Sequence, residues 1–224
     1  MPHPTIEAFE KEARPVIVGV PRPTQADFAR FLRVRASTLD EIIAKLISGE
    51  YAPLQWYEAF YRLILLDGHA GARALGRQRA GDFAEIGVED YLAGRVIADS
   101  ETEYLLRFLE DLVSKDRRYW DADLNAYKPQ AIQNRGRLYV QKMRGTAGQA
   151  FVSASPDEAE FNWVMGAAEH CDECPVLAGK SPWMAGELFT TPGSGMTPCG
   201  ANCKCHLVRR SDGLTSFKPV SLKS

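Results

Sequence analysis

The chain has 224 residues, 45% hydrophobic and 25% charged, a balance that suits one soluble globular domain, or one domain plus a small appendage. A formal net charge of -2 excludes an overall basic field drawing the protein to DNA or to an anionic membrane, and leaves only local patches for such contacts. The first 15 residues mix Glu7, Glu10, Lys11, Glu12 and Arg14 with isolated apolar positions, which is neither a signal-peptide nor a membrane-spanning layout; folding in a cytoplasm is expected.

Residues 1–23 read as an N-terminal arm. From Thr24 to Phe151 apolar residues recur at spacings of three and four, which predicts a helical body over 24–153. Phe28, Phe31 and Leu32 form one stripe, and Leu39, Ile42, Ile43 and Leu46 form another. Thr38 with Glu41 has the spacing of a capping box, so a helix bent or interrupted near Ser37 is expected. Pro53 suits the first turn of a helix carrying Leu54, Tyr57, Phe60, Tyr61, Ile64 and Leu65, expected to fade near Gly68 or Gly71. Gly68, Gly71, Gly76, Gly81 and Gly87 each cost about 1 kcal/mol relative to alanine inside a helix, and predict a broken connection over 67–87. Helical periodicity resumes with Tyr104, Leu105, Phe108, Leu109, Leu112 and Val113, and again from Pro129 through Ile132, Tyr139, Met143 and Phe151. The fold class is therefore mainly α, a helical bundle followed by a small C-terminal β and loop knob.

The knob begins after the hinge-like Ser153-Ala154-Ser155-Pro156 and is assigned to 154–210. Residues 161–165 and 204–209 are its strand candidates, joined by a loop rich in proline and glycine. All 5 cysteines lie here: Cys171, Cys174, Cys199, Cys203 and Cys205. Cys171-Asp172-Glu173-Cys174 is a knuckle that lets two thiolates reach one ion, and Cys199 to Cys205 supplies a second cluster, with Gly200 and Asn202 available for the tight turn. Soft thiolates at four corners favour zinc, or less often iron, and a fully protein-ligated ion is structural. Four of the five cysteines are expected as ligands. Spacing does not choose between Cys203 and Cys205, and His170 or His206 is an alternative donor. A disulfide pair or free buried thiols are the competing readings; a redox pair lacks the surrounding βαβ pattern. The segment is otherwise poor in apolar residues, so metal binding is expected to supply its folding energy.

The stretch from Trp163 through Glu169-His170-Cys171-Asp172-Glu173-Cys174-Pro175-Val176-Leu177-Ala178-Gly179, followed by Pro192 to Cys199 and Asn202-Cys203-Lys204-Cys205, resembles the C-terminal motif of phage head-morphogenesis (minor capsid) proteins. The likeness covers about the last quarter of the chain at motif level. Many members carry His-Pro before the Asn-Cys-x-Cys element; here Cys199-Gly200-Ala201 stands there, which implies that Cys199 takes the histidine's ligand role. The resemblance implies a non-enzymatic structural or assembly protein of the virion, made in the host cytoplasm. Its implied partners are the portal or major capsid protein, and possible further ones are a scaffold and packaged DNA; several copies per particle are expected, and no membrane contact. Alternatives are an enzyme of ADP-ribosyltransferase or toxin type associated with phage heads, and a zinc-stabilised nucleic-acid-binding module.

No catalytic residue is nominated. His69 reads as a helix-end histidine, and Asp67 and Asp99 as solvated or capping carboxylates. Lys115, Arg117 and Arg118 beside Tyr119 and Trp120, and Lys128, Arg135, Arg137, Lys142 and Arg144, are local basic sets whose ordinary role is a solvated helix face. Trp56, Trp120, Trp163 and Trp183 read as core or interface anchors. Residues 211–224, polar and without periodicity, are expected to be flexible until bound to a neighbour.

Overall fold

A computed structural model describes residues 22–222; the arm assigned to 1–23 lies outside them except for its last two residues. Helix α1 spans Gln25–Ile47 without interruption. Its N-terminus is capped by Thr24, whose side chain accepts from the Asp27 amide at 3.2 Å while the Asp27 carboxylate accepts from the Thr24 amide at 2.9 Å. The interruption expected near Ser37 does not occur. Thr38 lies inside the helix with its hydroxyl donated to the Val34 carbonyl at 3.1 Å, because Leu39, Ile42 and Ile43 continue the buried stripe across it.

Helix α2, Pro53–Ala59, passes into a π-helical stretch, Phe60–Leu66, and then into α3, Asp67–Ala80. The broken connection expected over 67–87 is thus a helix as far as Ala80. It stops at Gly81, whose φ of 113° is left-handed. The inner glycines serve close approach. A Cβ on Gly68 would lie 2.1 Å from the Met143 Cε, and one on Gly76 would lie 2.2 Å from the Ala147 carbonyl oxygen. From the other side, a Cβ on Gly94 would lie 2.9 Å from the Ala70 nitrogen. Helix α3 is therefore held tightly between α4, Val88–Val113, and α5, Pro129–Ser153, and burial outweighs glycine's poor helix propensity. Between α4 and α5 lies a short hairpin, β1 (Trp120–Asp121) and β2 (Ala126–Tyr127), with Trp120 opposite Tyr127.

In the knob, β3 (Glu160–Val164) is the central strand of an antiparallel sheet between β4 (Trp183–Met184) and β5 (His206–Arg209). Helix α6, Glu173–Gly179, precedes β4. Phe151 and Val152 of α5 join Phe161, Trp163, Leu177 and Leu207 in a second apolar cluster that also contains Cys174, Cys203 and Cys205. The knob therefore has a small apolar core of its own, partly borrowed from the body.

The described tail is docked, contrary to the flexible segment expected for 211–224. Phe217 stacks on Phe28 with ring centroids 4.2 Å apart, Leu222 is buried in the body core, and the Lys218 amide donates to Gln25 at 2.8 Å. Backbone and side-chain hydrogen bonds of Ser216 with Leu207 help these apolar contacts to pin a polar segment that lacks any periodicity. Among the described residues no helix is long and apolar enough to cross a membrane.

Replacing Gly76 by alanine is predicted to lower stability by about 1–3 kcal/mol in urea unfolding, despite the better helix propensity of alanine. A gain in stability would show that α3 and α5 can separate without loss.

Candidate metal centre

The two cysteine clusters are delivered by separate turns. Cys171 closes a turn onto Cys174, whose amide donates to the Cys171 carbonyl at 3.2 Å and whose side chain enters the knob core from the first turn of α6. On the other side a 3-10 turn, Gly200–Asn202, is flanked by Cys199 and Cys203. Gly200 has a φ of 54°, which suits glycine, and the Cys203 amide returns to the Gly200 carbonyl at 3.2 Å. Cys205 stands immediately before β5, which pairs Val164 with His206.

All five cysteines are free thiols. The Sγ of Cys171 lies 3.5 Å from that of Cys174 and 3.4 Å from that of Cys199; Cys174 lies 3.6 Å from Cys199 and 3.8 Å from Cys203. These separations far exceed the roughly 2.0 Å of a disulfide. The Cys205 Sγ lies 3.5 Å from Nδ1 of His170, and the two group with Cys174. His170 Nε2 is 2.8 Å from the Gly166 carbonyl, so a protonated Nε2 donates there and leaves Nδ1 a free lone pair toward the sulfurs. Two sets of donors could hold a metal ion, Cys171 with Cys174 and Cys199, and His170 with Cys174 and Cys205. His206, the other candidate histidine, is in neither set.

The cluster is electrostatically unusual. Burial pushes the thiols of Cys174 and Cys199 up, and neighbouring sulfurs add to the effect on Cys174. Burial also opposes ionisation of Cys171, but hydrogen bonds from the backbone of Cys174 and Cys199 and from their thiols outweigh it and bring the group to about 7. One thiolate formed in the cluster is held by its neighbours' hydrogen bonds and opposes a second ionisation, whereas a bound divalent cation would take several of the thiols as thiolates together. On the body side, the guanidinium of Arg144 is buried and donates to the carbonyls of Cys203 and Cys205. Spacing gave no sign of this residue's role, because 59 positions separate it from Cys203.

The remaining candidates are placed elsewhere. His69 is not at a helix end; it is buried within α3 with Nδ1 2.8 Å from the Thr146 hydroxyl. Asp99 accepts from the Tyr61 hydroxyl at 2.5 Å on the surface. The basic sets are largely engaged within the chain. Arg118 pairs with Asp111 and Asp116, Lys115 lies over the Trp120 ring, Arg137 pairs with Asp40, and Lys142 pairs with Glu101. Arg135 lies over the Phe108 and Tyr139 rings.

No family model, curated protein or solved structure matches the chain.

Substituting Cys174 by serine is predicted to raise amide exchange across β3, β5 and the 3-10 turn while α1 and α3 keep their protection. Unchanged protection of β5 would rule out a thiol cluster that organises the knob. A second prediction concerns pH. Burial lowers His69 from 6.5 to about 3, assisted by the charge of Lys142. Its folded value lies below the unfolded one, so the unfolded chain takes up this proton first. The stability tied to neutral His69 is complete above about pH 6.5 and is lost as pH falls toward about 3. Compared with His69→Gln, the native chain is therefore expected to lose more stability over that window, as read by denaturant midpoints; parallel profiles would contradict it.

Proposed function

We propose that the chain is a non-enzymatic assembly protein of a tailed-phage head, acting at the portal or inner capsid surface, with a knob locked by structural zinc. The observation that carries this reading is the convergence of the two motif segments. The Cys-x-x-Cys turn and the segment from Cys199 through the Asn-Cys-x-Cys element, 25 residues apart between Cys174 and Cys199, meet as one sulfur cluster.

Zinc is favoured by the donor chemistry and by distance. A tetrahedral ion with bonds of about 2.3 Å to sulfur has sulfur–sulfur edges of about 3.8 Å; the three edges among Cys171, Cys174 and Cys199 run from 3.4 to 3.6 Å, and Cys203 lies 3.8 Å from Cys174. Cys171, Cys174 and Cys199 are the preferred core of the ligand shell, with Cys203 beside Cys174, and Cys205 and His170, as the adjacent donors for the fourth position. The ion would supply a rigid cross-link between the turn before α6 and the turn before β5, and so hold a partner-facing surface in shape. The nucleic-acid alternative loses support because the basic side chains of the two candidate sets are mostly paired or stacked internally.

Elemental analysis of the protein purified under reducing conditions is expected to give about one zinc per chain, with all thiols titratable after denaturation in chelator. Mass spectrometry of purified particles from the phage encoding the chain is expected to detect it, and the purified chain is expected to bind that phage's portal or major capsid protein. Absence from particles together with no binding to either protein would overturn the assembly reading, whatever the metal content.

A further inference from the structure

Arg144 links the helical body to the thiol cluster. It projects from α5 and is 4% exposed; Nη1 donates to the Cys205 carbonyl at 2.8 Å, and Nη2 donates to the Cys203 carbonyl. The ionisable groups that face it are the thiols of Cys203, Cys205 and Cys199 rather than a carboxylate. The loop after β4 seals the contact. A Cβ on Gly193 would lie 2.7 Å from Nη2 of Arg144, and one on Gly145 would lie 2.3 Å from the Ser194 backbone.

A buried guanidinium without a counterion is strongly unfavourable. Four thiolates around a divalent ion carry a net charge of about -2, so the filled site supplies the counter-charge that Arg144 otherwise lacks. In return, the fork of two donors fixes two carbonyls of the ligand loop and holds Cys203 facing Cys174 at 3.8 Å. We propose that Arg144 is a positioning residue of the metal centre: it raises the affinity of the thiolate site for a divalent ion, and through it ion binding locks the knob onto α5. This inference rests on the metal reading above, not on the phage assignment.

The test measures zinc affinity of the full chain by competition with a chromophoric chelator, for the native protein, Arg144→Met and Arg144→Lys. Cobalt absorption serves as a second readout of the ligand sphere. Arg144→Met is expected to bind zinc about ten- to a hundredfold more weakly. Its cobalt spectrum should retain tetrahedral thiolate bands, and its far-ultraviolet circular dichroism should be unchanged. Arg144→Lys, which keeps the charge but not the planar fork, is expected to recover part of the loss. Hydrogen exchange on the native chain gives a measurement free of any variant: stripping the ion is expected to raise exchange in residues 144–148 and 190–195 while α1 stays protected. Native protein that binds no zinc would overturn the metal reading and this inference together. Tight native binding with Arg144→Met within twofold of it would overturn this inference alone, as would Arg144→Lys no better than Arg144→Met, or unchanged exchange in α5 on stripping.

Discussion

Helix α5 has to satisfy two cores with one run of side chains. Its first turns place Ile132, Tyr139, Val140 and Met143 in the body, and its last turn gives Phe151 and Val152 to the knob. Between them, Arg144, Gly145 and Gly148 receive the loop that carries Thr191, Gly193 and Ser194, with the Thr191 hydroxyl donated to the Gly145 carbonyl at 3.1 Å. Close packing is indifferent to the motif boundary at Ser153, so body and knob share a beam rather than a hinge. Changes at the junction are therefore expected to couple the two parts more strongly than changes in loops at the far end of either.

The sulfur cluster sits on this beam and depends on it. Its two turns are short, each closed by local backbone hydrogen bonds, and together they bring Cys171, Cys174 and Cys199 within 3.4 to 3.6 Å of one another. The apolar contacts of Phe161, Trp163 and Leu207 bring the turns together; the cation would then fix their spacing. Hydrophobic burial thus places the strands, and local backbone hydrogen bonds close the turns.

The tail follows the same economy. Phe217 and Leu222 return to the body core, so the chain that leaves the knob at β5 crosses back to α1. Besides α5, this is a second covalent and packed link between the two apolar clusters, and it braces the knob from the opposite side of the sequence.

The sequence by itself determined the mainly helical body, the switch to strands after Pro156, and the gathering of all chemistry-bearing sulfur into one segment. Periodicity and cysteine spacing are local quantities, and they survive without knowledge of neighbours. Only the tertiary structure decided the rest. Gly68 and Gly76 look like helix breakers until the surface of α5 that presses on them is known. Thr38 looks like a cap until the stripe beyond it is seen to be buried. Phe217 carries no periodic signal, and Arg144 looks like one charge of a solvated face, because their partners lie 189 and 59 positions away at Phe28 and Cys203. Close approach, stacking and the hydrogen bonding of a buried guanidinium are properties of pairs brought together by folding, and no window along the chain contains both members.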